Sequence, residues 1–207
     1  LMKISSIGTI NSLFSNTKCD VALAAKEICE LTNPNKLCID MCICYVVAMD
    51  TAIKTGNPIL AFNKATQCAS ESMTINILND AKRKATPTKL LNGQKELIEA
   101  DADGAFQGYI GVAFQNAFYH LVNTKQTKGF EHVMEKTICL GGDVDTNACI
   151  AGALYAACYG YKNIPNRWIM SIMDFTSDIA RTQIYKPMDH QYVFELLKET
   201  INASKKN

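Results

Sequence analysis

One stretch constrains this chain more than any other: Leu140-Gly141-Gly142-Asp143-Val144-Asp145-Thr146-Asn147-Ala148-Cys149-Ile150-Ala151-Gly152-Ala153. The paired glycines permit a turn where a side chain would collide. Asp143, Asp145 and Thr146 follow within four positions, and all three carry hard oxygen donors. Beyond Asn147 the residues are small and apolar, with Ala148, Ala151, Gly152 and Ala153 at helical spacing. This pattern predicts a tight turn that feeds a buried, closely packed helix. Asp and Thr suit a helix start, because their oxygens accept the free N–H groups there. Two carboxylates and a hydroxyl at such a turn also suit Mg²⁺ or Ca²⁺, which take oxygen ligands. A cap alone has no use for the second acid or for so close a helix packing.

The rest of the chain reads as helices with clear stops. Asp20 to Leu31 carries Val21, Ala24, Ala25, Ile28 and Leu31 on one face. Thr32-Asn33-Pro34-Asn35 breaks it, since proline disfavours helix in the residue before it. A second helix from Lys36 to Lys54 is apolar round most of its circumference, which places it at the centre of a bundle. It stops at Gly56-Asn57-Pro58. Asn63 to Lys84 reads as an amphipathic helical region with Ala65, Cys68, Ala69, Met73, Ile77 and Leu78 inward. Its end, Lys82-Arg83-Lys84, reads as solvated. Ala85 to Glu96, with Thr86-Pro87-Thr88 and Asn92-Gly93, reads as a surface excursion. Asp101-Ala102-Asp103-Gly104 lacks the ligand spacing of an EF-hand and reads as an acidic turn. Helices are expected over Gly108 to His120, Phe130 to Leu140, from the Asp143 turn to Tyr159, Trp168 to Ile179, and His190 to Asn202. Leu1 to Gly8 has no helix cap and reads as an apolar strand or turn. With no clear strand alternation, the fold class is all-α: an irregular helical bundle, taken as a single domain over residues 1–207.

The bulk numbers exclude several functions. A net charge of +1 gives no argument for a nucleic-acid surface or a polybasic membrane patch. No uninterrupted apolar run is long enough to span a bilayer, and no secretory signal is visible, so a cytoplasmic location is expected. The nine cysteines are odd in number. Cys29, Cys42, Cys44, Cys149 and Cys158 sit in apolar helical text, so buried thiols are expected rather than disulfides. Cys38, Cys42 and Cys44 lack paired Cys-x-x-Cys units and a nearby histidine, so no zinc site is expected. His120 and His132 are isolated and are read as structural or surface residues.

Gly141-Gly142-Asp143-Val144-Asp145-Thr146-Asn147 followed by Ile150-Ala151-Gly152-Ala153 resembles the C-terminal metal motif of the ADP-ribosylglycohydrolases. That family includes the glycohydrolase that reactivates dinitrogenase reductase and the ADP-ribosylhydrolases acting on arginine and serine. Tyr159-Gly160 and Ile164-Pro165-Asn166-Arg167-Trp168 are similar to the family's Gly…Ile-Pro-x-x-Trp segment. Leu1-Met2-Lys3-Ile4-Ser5-Ser6-Ile7-Gly8 is similar to its Leu-Met-Arg-x-x-Pro-x-Gly, with Lys3 for arginine and Ser6 for proline. Thr32-Asn33-Pro34-Asn35 resembles its Thr-His-x-x loop, with asparagine at both histidine positions. Gly108-Tyr109 falls where the family has Gly-Tyr before a core helix.

The resemblance implies an all-α fold and a pair of Mg²⁺ ions, with Mn²⁺ also suited. Asp143, Asp145 and Thr146 would be metal ligands, and Asp143 and Asp145 the catalytic acids. Asn33, Asn35 and Tyr109 would contact substrate. The implied partner is an ADP-ribosylated protein or a small ADP-ribose derivative, and the implied reaction is hydrolysis of the N- or O-glycosidic bond. The family's upstream Thr-Asp-Asp segment would fall before Leu1, so the sequence is expected to be N-terminally incomplete relative to the family. Two alternatives therefore stand beside the enzyme: a catalytically incomplete ADP-ribose-binding or regulatory protein, and a structural relative like those of the eye lens.

Overall fold

The computed structural model describes residues 1–13, 20–91 and 96–175, with short pieces at 195, 198–199 and 202–203. The chain divides into two compact units, Leu1–Asn163 and Ile164–Asn207, and each is taken by itself.

The first unit is helical. Its helices are α1 (Ser5–Leu13), α2 (Val21–Glu30), α3 (Lys36–Thr55), α4 (Pro58–Cys68), α5 (Ser72–Ala81), α6 (Ile110–Val122), α7 (Phe130–Cys139) and α8 (Val144–Tyr159). Helix α3 is the central element and packs against α1, α2, α4, α5, α6 and α8. Its ends follow local chemistry. The Asn35 side chain accepts from Leu37 N and Cys38 N at one end, and Gly56 closes the other with φ +61°. Met41, Cys44, Tyr45, Val46, Ala48, Met49 and Ala52 are buried along its length. Tyr45 Oη donates to the Ile150 carbonyl at 2.9 Å, tying α3 to α8. Helix α8 also packs on α6 and α7, and its small residues allow that approach on several sides.

Four expectations are corrected. Met2–Ile4 is a 3-10 turn leading into α1, not a strand or turn ending at Gly8. No side chain caps that start, so the usual signal is missing; Thr9 Oγ1 instead donates back to the Ser5 carbonyl. The helical region expected over Asn63 to Lys84 begins earlier, at Pro58, ends at Ala81 and is divided into two helices, α4 and α5. Proline suits the first helical turn, where its missing N–H costs nothing. The break at Ala69–Glu71 is held from a distance. Buried Asp40 of α3 accepts from Ser70 N (3.0 Å), Ser70 Oγ (2.7 Å) and Glu71 N (3.1 Å), and so holds the entry to α5. The excursion after Ala85 contains a hairpin, β1 (Thr88–Leu91) antiparallel to β2 (Leu97–Ala100), with Thr88 opposite Ala100. Four residues a strand are too few for alternation to be legible. Leu90 and Ala100 form a small second core with Ala102 and Val112. Finally, Leu31, Cys68 and Cys149 are exposed. Leu31 and Cys149 lie past the end of α2 and on the outer side of α8.

In the second unit the described helix is α9 (Asn166–Met173), shorter than the expected Trp168 to Ile179. Residues 176–179 and most of the expected helix from His190 to Asn202 lie outside the described residues. Among the described residues no helix is long and apolar enough to cross a membrane.

Candidate functional site

The turn before α8 is built as its glycines predict. Gly141 and Gly142 have φ of +77° and +72°. Asp143 occupies the cap position of α8, but its side chain makes no capping bond. It meets the Asp145 side chain instead. Asp145 Oδ1 also accepts from the Thr146 N–H at 2.9 Å. These two contacts, the Asp143 side chain first and the Thr146 amide second, hold the Asp145 carboxyl below the usual carboxylate range. Asp143 is therefore not spent on capping the helix, whereas Asp145 accepts a first-turn N–H.

A cavity of about 450 Å³ opens beside this turn. Asp143, Thr146 and Asn147 line one part of it, and Thr32, Asn33 and Asn35 another. Tyr109 and Gln107 line it from the entry to α6, and Lys3 from the N-terminal 3-10 turn. Asn33 and Asn35 are also structural. Asn33 Oδ1 accepts from Asn35 N at 3.2 Å, and Asn35 Oδ1 caps α3. The capping bond leaves the Asn35 amide nitrogen as the group able to donate to a ligand. Lys3 Nζ donates to Thr32 Oγ1 at 2.9 Å, which links the 3-10 turn to this loop.

Tyr109 precedes α6 and is half-buried. Its ring lies over Gly111, where any Cβ would collide with it. Burial first, and Cys38 second, push its hydroxyl up to about 12. It stays protonated near neutral pH and can donate a hydrogen bond. Cys29, Cys38 and Cys42 lie on the same wall. Burial raises the Cys38 thiol and pushes Cys42 up to about 12, so these two supply no thiolate at neutral pH.

The structure thus brings together five residues singled out in the sequence: Asn33, Asn35, Tyr109, Asp143 and Thr146. Asp145 joins them through Asp143 but is exposed and does not line the cavity. Sequence reading missed Lys3 as a wall residue and Asp103 as a partner of the glycine turn. Asp103 Oδ1 accepts from Gly142 N at 2.5 Å. The signal for it was the Asp101-Ala102-Asp103-Gly104 run, whose target could not be known from spacing.

The ADP-ribosylglycohydrolase family model matches residues 1–201. The chain belongs to the ADP-ribosylglycohydrolase family.

Two relatives illustrate the match. A protein of Acanthamoeba polyphaga mimivirus, named as an ADP-ribosyl glycohydrolase, is 35% identical over 72 residues, 35% of this chain and 21% of that protein. The ADP-ribosylhydrolase ARH3 of Danio rerio is 44% identical over 55 residues, 26% of this chain and 15% of that protein. The matching segments thus span about a fifth and about a seventh of these relatives. No solved structure matches the chain.

Within this family member the donor set has the chemistry a hard dication requires: two carboxylates and a hydroxyl at one turn, with the Asp143 carboxylate uncommitted to the helix. Among the described residues, no group of three His, Cys, Asp or Glu side chains comes together for a metal. These three donors alone would leave most of a magnesium shell to water and substrate.

Proposed function

We propose that this chain is a Mg²⁺-dependent hydrolase that releases ADP-ribose from modified protein side chains by cleaving their N- or O-glycosidic bond. The observation that supports this reading most is the shared cavity wall. Asp143 and Thr146 line the same space as Asn33, Asn35 and Tyr109, although the sequence separates them widely. Family membership and the printed names of the two relatives agree with it.

Asp143, Asp145 and Thr146 would hold Mg²⁺ or Mn²⁺, both of which favour oxygen donors. When bound, the ion supplies positive charge at this end of the cavity, against which sugar hydroxyls can be oriented. The chain's own residues divide the remaining work. Lys3 is the cationic side chain on the wall and suits the diphosphate. Tyr109 donates a hydrogen bond and does not act as a base. Asn33 and Asn35 offer amide groups but cannot carry a proton as histidine would. Hydrolysis adds water at the anomeric carbon, breaks the bond to the side chain and protonates the departing nitrogen or oxygen. Asp143, the carboxylate on the cavity wall, is placed to take the proton from water, with the outward-facing Asp145 beside it.

A second reading, an ADP-ribose-binding protein without turnover, is favoured by one observation: among the described residues no group of three His, Cys, Asp or Glu side chains comes together for a metal. One experiment separates them. ADP-ribose release from a mixed pool of mono-ADP-ribosylated proteins is measured with added Mg²⁺, beside the Asp143→Ala/Asp145→Ala double variant, and ADP-ribose binding is measured by calorimetry. Release that is lost in the variant is the expected result. Binding without release supports the second reading, and neither binding nor release refutes both.

A further inference from the structure

The acidic turn at Asp101–Gly104 docks on the glycine turn that carries Asp143. Asp103 Oδ1 accepts the Gly142 N–H at 2.5 Å. The fit is close on both glycines. A Cβ on Gly141 would run into the Asp103 carboxylate, and one on Gly142 into the Ala102 carbonyl. Ala102 is 3% exposed and packs with Leu90, Ala100 and Val112. The acidic turn is therefore anchored to the hairpin core, while its carboxylate reaches the Gly141–Gly142 turn.

The glycine turn needs such a partner. Two successive glycines have a flat backbone landscape and no side chains to hold them. The hydrogen bond of the Gly142 N–H is the one to Asp103, not one to a helix carbonyl, and the Asp143 side chain makes no capping bond. The orientation of the Gly142 peptide nevertheless sets where Asp143 projects.

Resting on the function proposed above, we propose that Asp103 is a positioning residue: its carboxylate locks the Gly142 peptide and thereby fixes Asp143 for cation binding. Asp103 acts through the accepted hydrogen bond and not as a ligand. Groups that orient metal ligands in this way alter affinity without touching the ion.

The test compares wild type with Asp103→Ala and Asp103→Asn. Mn²⁺ binding is followed by electron paramagnetic resonance, and protection of the Gly142 amide by hydrogen exchange on metal-free protein. Asp103→Ala is expected to lose the amide protection and to weaken Mn²⁺ binding by about 10-fold to 100-fold. Asp103→Asn keeps an oxygen that accepts the same N–H, so both readouts return close to wild type. Thermal unfolding without metal identifies any variant that has lost its fold, and the asparagine variant then still carries the test. Unchanged Mn²⁺ affinity in Asp103→Ala overturns the inference alone. An asparagine variant as weak as the alanine one also overturns it, because charge rather than the accepted bond would then matter. Wild type that takes up no Mn²⁺ overturns the metal reading itself, and this inference with it.

Discussion

Acidification should unfold this protein partly through one histidine. His120 lies in α6 at 1% exposure. Its Nδ1 pairs with Thr127 Oγ1 at 3.3 Å, its ring meets Tyr119 edge-on, and its Nε2 has no partner among the described residues. Burial first, and neighbouring His132 second, lower its pKa from 6.5 to about 4. The folded ring therefore stays neutral where the unfolded chain already binds a proton. Its stabilising contribution is full above pH 6.5 and is lost as pH falls through the interval down to about 4. At about 1.4 kcal/mol per pH unit, the loss between pH 7 and pH 4 is about 3 kcal/mol. That is a large share of the roughly 5–15 kcal/mol that holds a typical domain together. The assay is urea unfolding at pH 7 and pH 4 for wild type and His120→Gln. Carboxylates titrate in both proteins and cancel in the comparison. Wild type should lose about 3 kcal/mol more than the variant across this interval. Equal losses would refute the argument that the buried ring resists protonation.

Two further predictions follow from particular contacts. Lys3→Ala should weaken ADP-ribose binding about tenfold, because a charge-assisted bond to phosphate is lost, with the deficit shrinking as salt rises. Calorimetry at two ionic strengths checks it, and adenosine binding should not change. Asp40→Ala should cost about 2–3 kcal/mol in chemical denaturation, since three donors at Ser70 and Glu71 lose a buried acceptor. A cost near zero would mean that the entry to α5 does not depend on α3.

Some of this molecule was legible because its chemistry is local. Asn35 caps α3 two residues into the helix, and Gly56 ends it at a φ that glycine adopts freely. The Gly141–Gly142 turn, the start of α8 and its stop at Gly160 were readable for the same reason. Where the local signal was missing, the reading failed. The 3-10 turn that leads into α1 has no side-chain cap, and the hairpin strands are too short for their period to show. The turn that leads into α5 is held by Asp40, about thirty residues earlier, so the local sequence does not show both partners.

The site divides along the same line. The sequence by itself pointed to the acids and hydroxyl at 143–146, because residue type and spacing at a turn set what each group can donate or accept, and it pointed to the amides of Asn33 and Asn35 and the phenol of Tyr109 through the family resemblance. Only the tertiary structure decided that these groups share one cavity, that Lys3 joins them, that Asp145 faces outward, and that Asp103 reaches Gly142. Those facts depend on how α3, α6 and α8 pack, which turns positions far apart in the chain into neighbours around one cavity.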